Sequence, residues 1–198
     1  MPQAVADQLD DSAVTRTLTD PGGVPQEVFT TLAGDRIVEA LLNLRQVLGT
    51  RQVILENDDV VRFPPVDGDE LEADPGAASE IFELLNRARV DAGEDPLAWS
   101  PALTRVGAGH AAEMYLEGYF SHVSGETGTV GDRLEAAGIP FVLAGENLAL
   151  AATPGQVHEG LMDSPGHREN ILRPEFRRVG IAVVSGTLGL MTVQVFTG

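Results

Sequence analysis

Cysteine is absent from the 198 residues, and so is lysine, since all 13 basic residues are arginines. Without thiols the chain has no cysteine nucleophile, thiolate zinc site, iron–sulfur cluster or disulfide. The lack of cysteine does not assign a compartment. A reducing cytosol and a cell-envelope protein that never adopted disulfides fit equally well. Missing lysine matches a coding or habitat bias and calls for no function. Long apolar runs are also missing: none approaches the roughly 20 residues of a membrane span. The opening MPQAVADQLDD lacks a positive stretch followed by an apolar one, so no secretion signal is expected in it.

Positive charge is scarce as well. Thirty acidic residues leave a formal net charge of −17, which repels phosphate backbones and anionic headgroups. Nucleic acid is excluded as an expected partner, whereas a cationic ligand or a divalent metal is compatible. Histidine is absent from the first 78 residues, and all four lie between 110 and 167. Side-chain titration near neutral pH is therefore confined to the second part of the chain. Several catalytic signatures are missing too: a Gly-x-Ser-x-Gly elbow, a phosphate-binding Gly-rich loop and His-Glu-x-x-His.

What is present divides in two. Residues 1–20 are polar and without periodicity, so little order is expected there. The stretch from Val24 to Leu48 has helical spacing in its second half, and RQVILENDDVVRFPPV reads as two β-prone runs around Asn57-Asp58. The acidic VDGDELEADPGAA, residues 66–78, reads as a linker. It separates an N-terminal extension, 1–78, from a compact domain, 79–198. In the domain, Ser79 is expected to cap a helix closing at Gly93. Ser100-Pro101 to Gly118 has the cap, first-turn proline and terminal glycine of another helix. DRLEAAG is a short helix, and Thr153-Pro154 opens one reaching about Met162. The C-terminal VGIAVVSGTLGLMTVQVFTG is a hairpin. Helices on both sides of strands imply a layered α/β or α+β fold.

The histidines differ in setting. His110 lies mid-helix on the apolar stripe and reads as a core imidazole, and His158 as a packing or capping residue. His122 and His167 each follow a helix stop, and Glu146 stands at a Gly145–Asn147 junction. The three are compatible with a two-imidazole, one-carboxylate cluster, able to ligate zinc or to carry out acid–base work. Ser121 and Ser164 stand near histidines in sequence, but adjacency alone is not triad geometry.

LLNRARVDAGEDPLAWSPAL, HAAEMYLEGYFSH, AGENLAL and LMDSPGHRENIL, in this order, closely resemble the CAP superfamily, also called the SCP or cysteine-rich secretory protein domain, in its bacterial secreted branch. The resemblance covers about Ser79 to Thr197. It implies an α+β fold, a three-layer α-β-α sandwich with a central antiparallel sheet and a broad cleft, here preceded by a small N-terminal extension. The family cleft holds two histidines and two glutamates. His122, Glu146 and His167 match three of these, and the second glutamate's place falls at Ser164, beside Asp163. The resemblance further implies an extracytoplasmic, secreted or envelope-attached protein. Its cleft would take a small-molecule, lipid or cell-wall ligand, with a divalent cation such as zinc on His122, His167 and Glu146, and without turnover. Two alternatives are a metal-assisted hydrolase of peptide or cell-wall material with Glu146 as base, and a structural or partner-binding domain without metal. VVRFPPV and the stretch before it resemble a juxtamembrane segment, consistent with a membrane anchor upstream. Pro165 is expected to open a new helical turn, with Gly166 allowing a close backbone approach at the cleft floor.

Overall fold

The structure is a computed structural model that describes residues 60–198 together with the strands at 14–19, 25–30 and 53–54. The expected helix in the second half of 24–48 and the turn at Asn57-Asp58 lie outside the described residues. Strands β1 (Val14–Thr19) and β2 (Pro25–Thr30) pair antiparallel, Val14 opposite Thr30. Residues 1–20 therefore contain order that was not expected: VTRTLT alternates β-prone residues closely enough to form a ladder.

The domain is built on one sheet. Strand β3 (Val53–Ile54) borders β8 (Ala144–Ala151), followed by β10 (Gly189–Thr197), β9 (Arg178–Gly186) and β5 (Glu72–Ala73), all antiparallel. Strand β6 (Ala98–Trp99) runs parallel beside β9. A separate pair joins β4 (Val61–Arg62) to β7 (Tyr119–Phe120). The expected hairpin is β9–β10, its two-residue turn between Gly186 and Gly189.

Side chains alternating along β8 enter two cores. Leu148 and Leu150 pack with Leu103, Met114 and Tyr115 of α2 (Pro101–Glu117) and Leu134 of α3 (Val130–Ala136). Ala149 and Ala151 pack with Ile81 and Leu85 of α1 (Pro75–Asp91), Leu161 of α4 (Pro154–Asp163) and Ile171 of α5 (Pro165–Leu172). A sheet covered by helices on both faces is the expected α-β-α sandwich. The layers approach closely where Gly180 of β9 meets α2, since a Cβ there would lie 2.2 Å from the Thr104 nitrogen.

Helix α2 starts and stops as its sequence indicates. Ser100 accepts from the Leu103 amide, and Gly118 closes the helix at φ +67°. Helix α1 begins earlier than expected. Asp74, not Ser79, is its cap, accepting from Ala77 at 2.8 Å with Pro75 in the first turn. Asp-Pro is the stronger start signal because it both supplies the acceptor and presets φ. The acidic 66–78 stretch, read as a linker, contributes a 3-10 turn (Gly68–Glu70), β5 and the first turn of α1.

Candidate functional site

Three elements bring the expected residues together. His122 follows β7, Glu146 is the third residue of β8, and His167 lies in the first turn of α5. The rings of His122 and His167 stack with centroids 6.1 Å apart and planes 23° from parallel. Nδ1 of His122 is 3.0 Å from Oε1 of Glu146. A carboxylate only accepts, so Nδ1–H donates, and in the neutral ring Nε2 carries the lone pair.

The other Glu146 oxygen, Oε2, accepts from Nη2 of Arg133 at 2.6 Å. This ion pair is sealed: the side chains are 3% and 6% exposed. Burial alone would raise the Glu146 pKa. The His122 hydrogen bond and the positive charge of Arg133 outweigh it and hold the carboxyl below its ordinary value. Arg133 was not singled out from the sequence. The signal was there: Val130, Arg133 and Leu134 share the inward face of a short helix, and an arginine on such a face needs an acid.

Arg133 also binds the loop that carries His122, donating to Gly128 O at 2.6 Å and to His122 O at 3.4 Å. His110 anchors the same loop from α2, its Nε2–H donating to Ser121 O at 2.9 Å. It is buried, as expected of a core imidazole, and burial lowers its pKa. Glu113 is a third anchor, accepting from Tyr119 at 2.8 Å, Thr127 at 2.9 Å and Ser124. Those hydroxyls hold its carboxyl below the ordinary value against the opposing effect of burial. His158 takes no part in the cluster, and burial lowers its pKa.

Behind His167 the polar contacts continue. Ser164 and His167 Nδ1 lie 2.6 Å apart. Asn147 donates to His167 O at 3.2 Å and to Gln194 Oε1 at 3.0 Å, and Asn170 donates to Asn147 Oδ1 at 2.9 Å. Asn170 and the buried Ile171 therefore clamp α5 to β8. Gly166 has a different role from the expected one: a Cβ there would meet nothing within 4 Å, because its position on the turn is exposed. Close approach is not its function. Helix α5 is also held at its C-terminal end, where buried Arg89 of α1 donates to Ile171 O at 2.6 Å and Arg173 O at 3.0 Å.

This geometry restricts the chemistry. Glu146 was expected as a metal ligand, but both of its oxygens are engaged by His122 and Arg133. Among the described residues no group of three His, Asp or Glu side chains could hold a metal ion. The three-ligand arrangement does not fit. Two imidazoles, one of them oriented by a carboxylate, remain, and such outer carboxylates are the usual support of metal-bound histidine. As a general base Glu146 is poor, being ionised and held so by a guanidinium. His122 is the approachable member, its side chain 20% exposed, whereas His167 is buried behind it. A cavity of about 410 Å³ lies elsewhere, between α2 and α3, with His110 and Arg133 in its wall.

Comparison with known proteins agrees with this architecture. The chain is 37% identical over 105 residues to the uncharacterized membrane protein YlbC of Bacillus subtilis, a match covering 52% of this chain and 30% of that one. It is 34% identical over 120 residues to the uncharacterized protein YkwD of the same organism, covering 60% and 46%. The chain thus spans less than half the length of these curated relatives. Among solved structures it is similar to an extracellular protein containing a SCP domain from Bacillus anthracis. That match has 33% identity and a TM-score of 0.55, over 68% of this chain and 45% of that one. An outer surface protein of Borrelia burgdorferi shares the fold at 18% identity and a TM-score of 0.59, over 64% and 96%. The family model described as CAP, the cysteine-rich secretory protein family, matches residues 82–196, which include His122, Arg133, Glu146 and His167. The chain belongs to that family.

Proposed function

We propose that this domain is an extracytoplasmic binding module whose cleft engages its ligand through the imidazoles of His122 and His167, without turnover. The observation that carries the reading is the sealed Arg133–Glu146 pair under His122. It spends the carboxylate on holding a ring in one tautomer and one orientation, the usual support of a metal-binding imidazole. The similarity to an extracellular SCP-domain protein supports the location. A divalent cation, zinc first, is the candidate partner of the two rings. His122 and His167 would hold it, and it would supply a Lewis-acidic position for an anionic or carbonyl group of a ligand.

Calorimetry with zinc tests this reading. His122→Ala and His167→Ala should each weaken binding by about tenfold or more, a change of about 1.4 kcal/mol. Unchanged affinity in both variants would remove the metal from the account. Loss of melting temperature in the variants, with no zinc binding by the unaltered chain, would leave a structural polar network.

A further inference from the structure

The cavity between α2 and α3 is lined by neither His122 nor His167, although Arg133, the partner of Glu146, stands in its wall. Its α2 wall contains Arg105, Gly109 and Glu113. These residues are four apart and fall on one row along the helix face, opposite charges at the ends and a glycine in the middle.

Gly109 has no conformational or packing reason to be glycine. It is exposed, lies inside a helix, and a Cβ there would meet nothing within 4 Å. Gly107 on the same helix differs, because its Cβ would sit 3.3 Å from Ala182 and 3.4 Å from Val193. A helix-interior glycine costs about 1 kcal/mol relative to alanine. At position 109 that cost leaves empty space over the cavity floor. Across from it α3 and the turn after it present Ala136, Ala137 and Ile139 beside Arg133, so the opposite wall is short and mostly apolar.

The polar groups define what fits. Glu113 is ionised, and Arg105 is exposed and pairs with no acid among the described residues. A ligand with a net charge of either sign meets a like charge at one end. A molecule with both charges meets an opposite charge at each. Eight residues of helix separate the two side chains by about 12 Å along the axis. An extended chain of three residues spans about 10 Å, and flexible side chains close the difference. Arg133 and His110 also line the cavity, each with one buried ring or guanidinium nitrogen that has no hydrogen-bond partner in the structure. A volume of about 410 Å³ lies at the small end of ligand pockets.

We propose that this cavity is a second binding site, and that its ligand is a short apolar peptide of about three residues with both termini free. The ammonium end lies toward Glu113 and the carboxylate end toward Arg105. The peptide would touch neither His122 nor His167, since neither lines this cavity.

Titration of the full chain with L-alanyl-L-valyl-L-alanine, followed by amide resonances, tests it. Saturable shifts are expected at Gly109, Glu113 and Ala137. The N-acetylated, C-amidated peptide should bind about tenfold or more weakly, as should the unblocked peptide to Gly109→Leu. That variant fills open space with a better helix former, so it should melt no lower than the parent and keep its response to zinc. If it fails to fold, the blocked and unblocked peptides compared on the unaltered chain decide the matter. No shifts at millimolar peptide, shifts mapping elsewhere, or equal binding of the blocked peptide would overturn the proposal.

Discussion

Arg133→Met is expected to lower the unfolding free energy by about 3–5 kcal/mol, measured by urea denaturation at neutral pH. The substitution removes the arginine paired with a carboxylate that is 3% exposed. Desolvation would then act on Glu146 with His122 as its remaining partner. The double variant Arg133→Met, Glu146→Leu should be more stable than Arg133→Met alone, because no unpaired charge stays buried. The pH dependence supplies the sign. In the parent, Glu146 titrates in the folded state below its ordinary value of 4.5. Its contribution is therefore complete above that value and is lost as the pH falls through the lower folded value. Without Arg133 the folded value rises. The deficit in Arg133→Met should then be largest at neutral pH and shrink on acidification, as the carboxyl takes up a proton. A deficit below about 1 kcal/mol, or one independent of pH, would show that the pair does not hold the site.

Arg89→Met should cost about 3 kcal/mol or more, since each hydrogen bond from a charged donor contributes about 1.5–3 kcal/mol. Arg89 is fully buried and its fork reaches three carbonyls: Asp95 at 2.7 Å, Ile171 at 2.6 Å and Arg173 at 3.0 Å. Two of them close the C-terminal end of α5, the helix that positions His167 and Asn170. Arg89→Lys should recover little, because a single ammonium cannot reproduce the planar fork. Hydrogen exchange gives a specific readout: amides of α5 should lose protection in Arg89→Met before those of the β9–β10 hairpin do. Uniform loss across the domain would make Arg89 an ordinary core contact.

The legible parts of this protein were those with local signals. Helix α2 announces itself by Ser100-Pro101 and Gly118, the hairpin by two β-branched runs around a short turn, and the cleft histidines by their places just after helix stops. Convergence of His122, Glu146 and His167 is a long-range property. It came from the order of four motifs and not from any spacing. The partnership of Glu146 could not be read in the same way, because Arg133 lies 13 residues away on a different element. Only its position on the inward face of α3 hinted that it needed an acid. Ser79 lost the helix start to Asp74-Pro75, since two acceptable caps compete locally and the proline decides between them. A Cβ at Gly166 or at Gly109 would meet nothing within 4 Å, and only the place of Gly109 in the wall of the cavity separates the two.

A crystal of the full chain soaked in zinc and measured across the metal's absorption edge should show an anomalous peak shared between the His122 and His167 rings, with Glu146 still on Arg133. Zinc found only on surface carboxylates, or Glu146 swung away from Arg133 to ligate the metal, would contradict that arrangement.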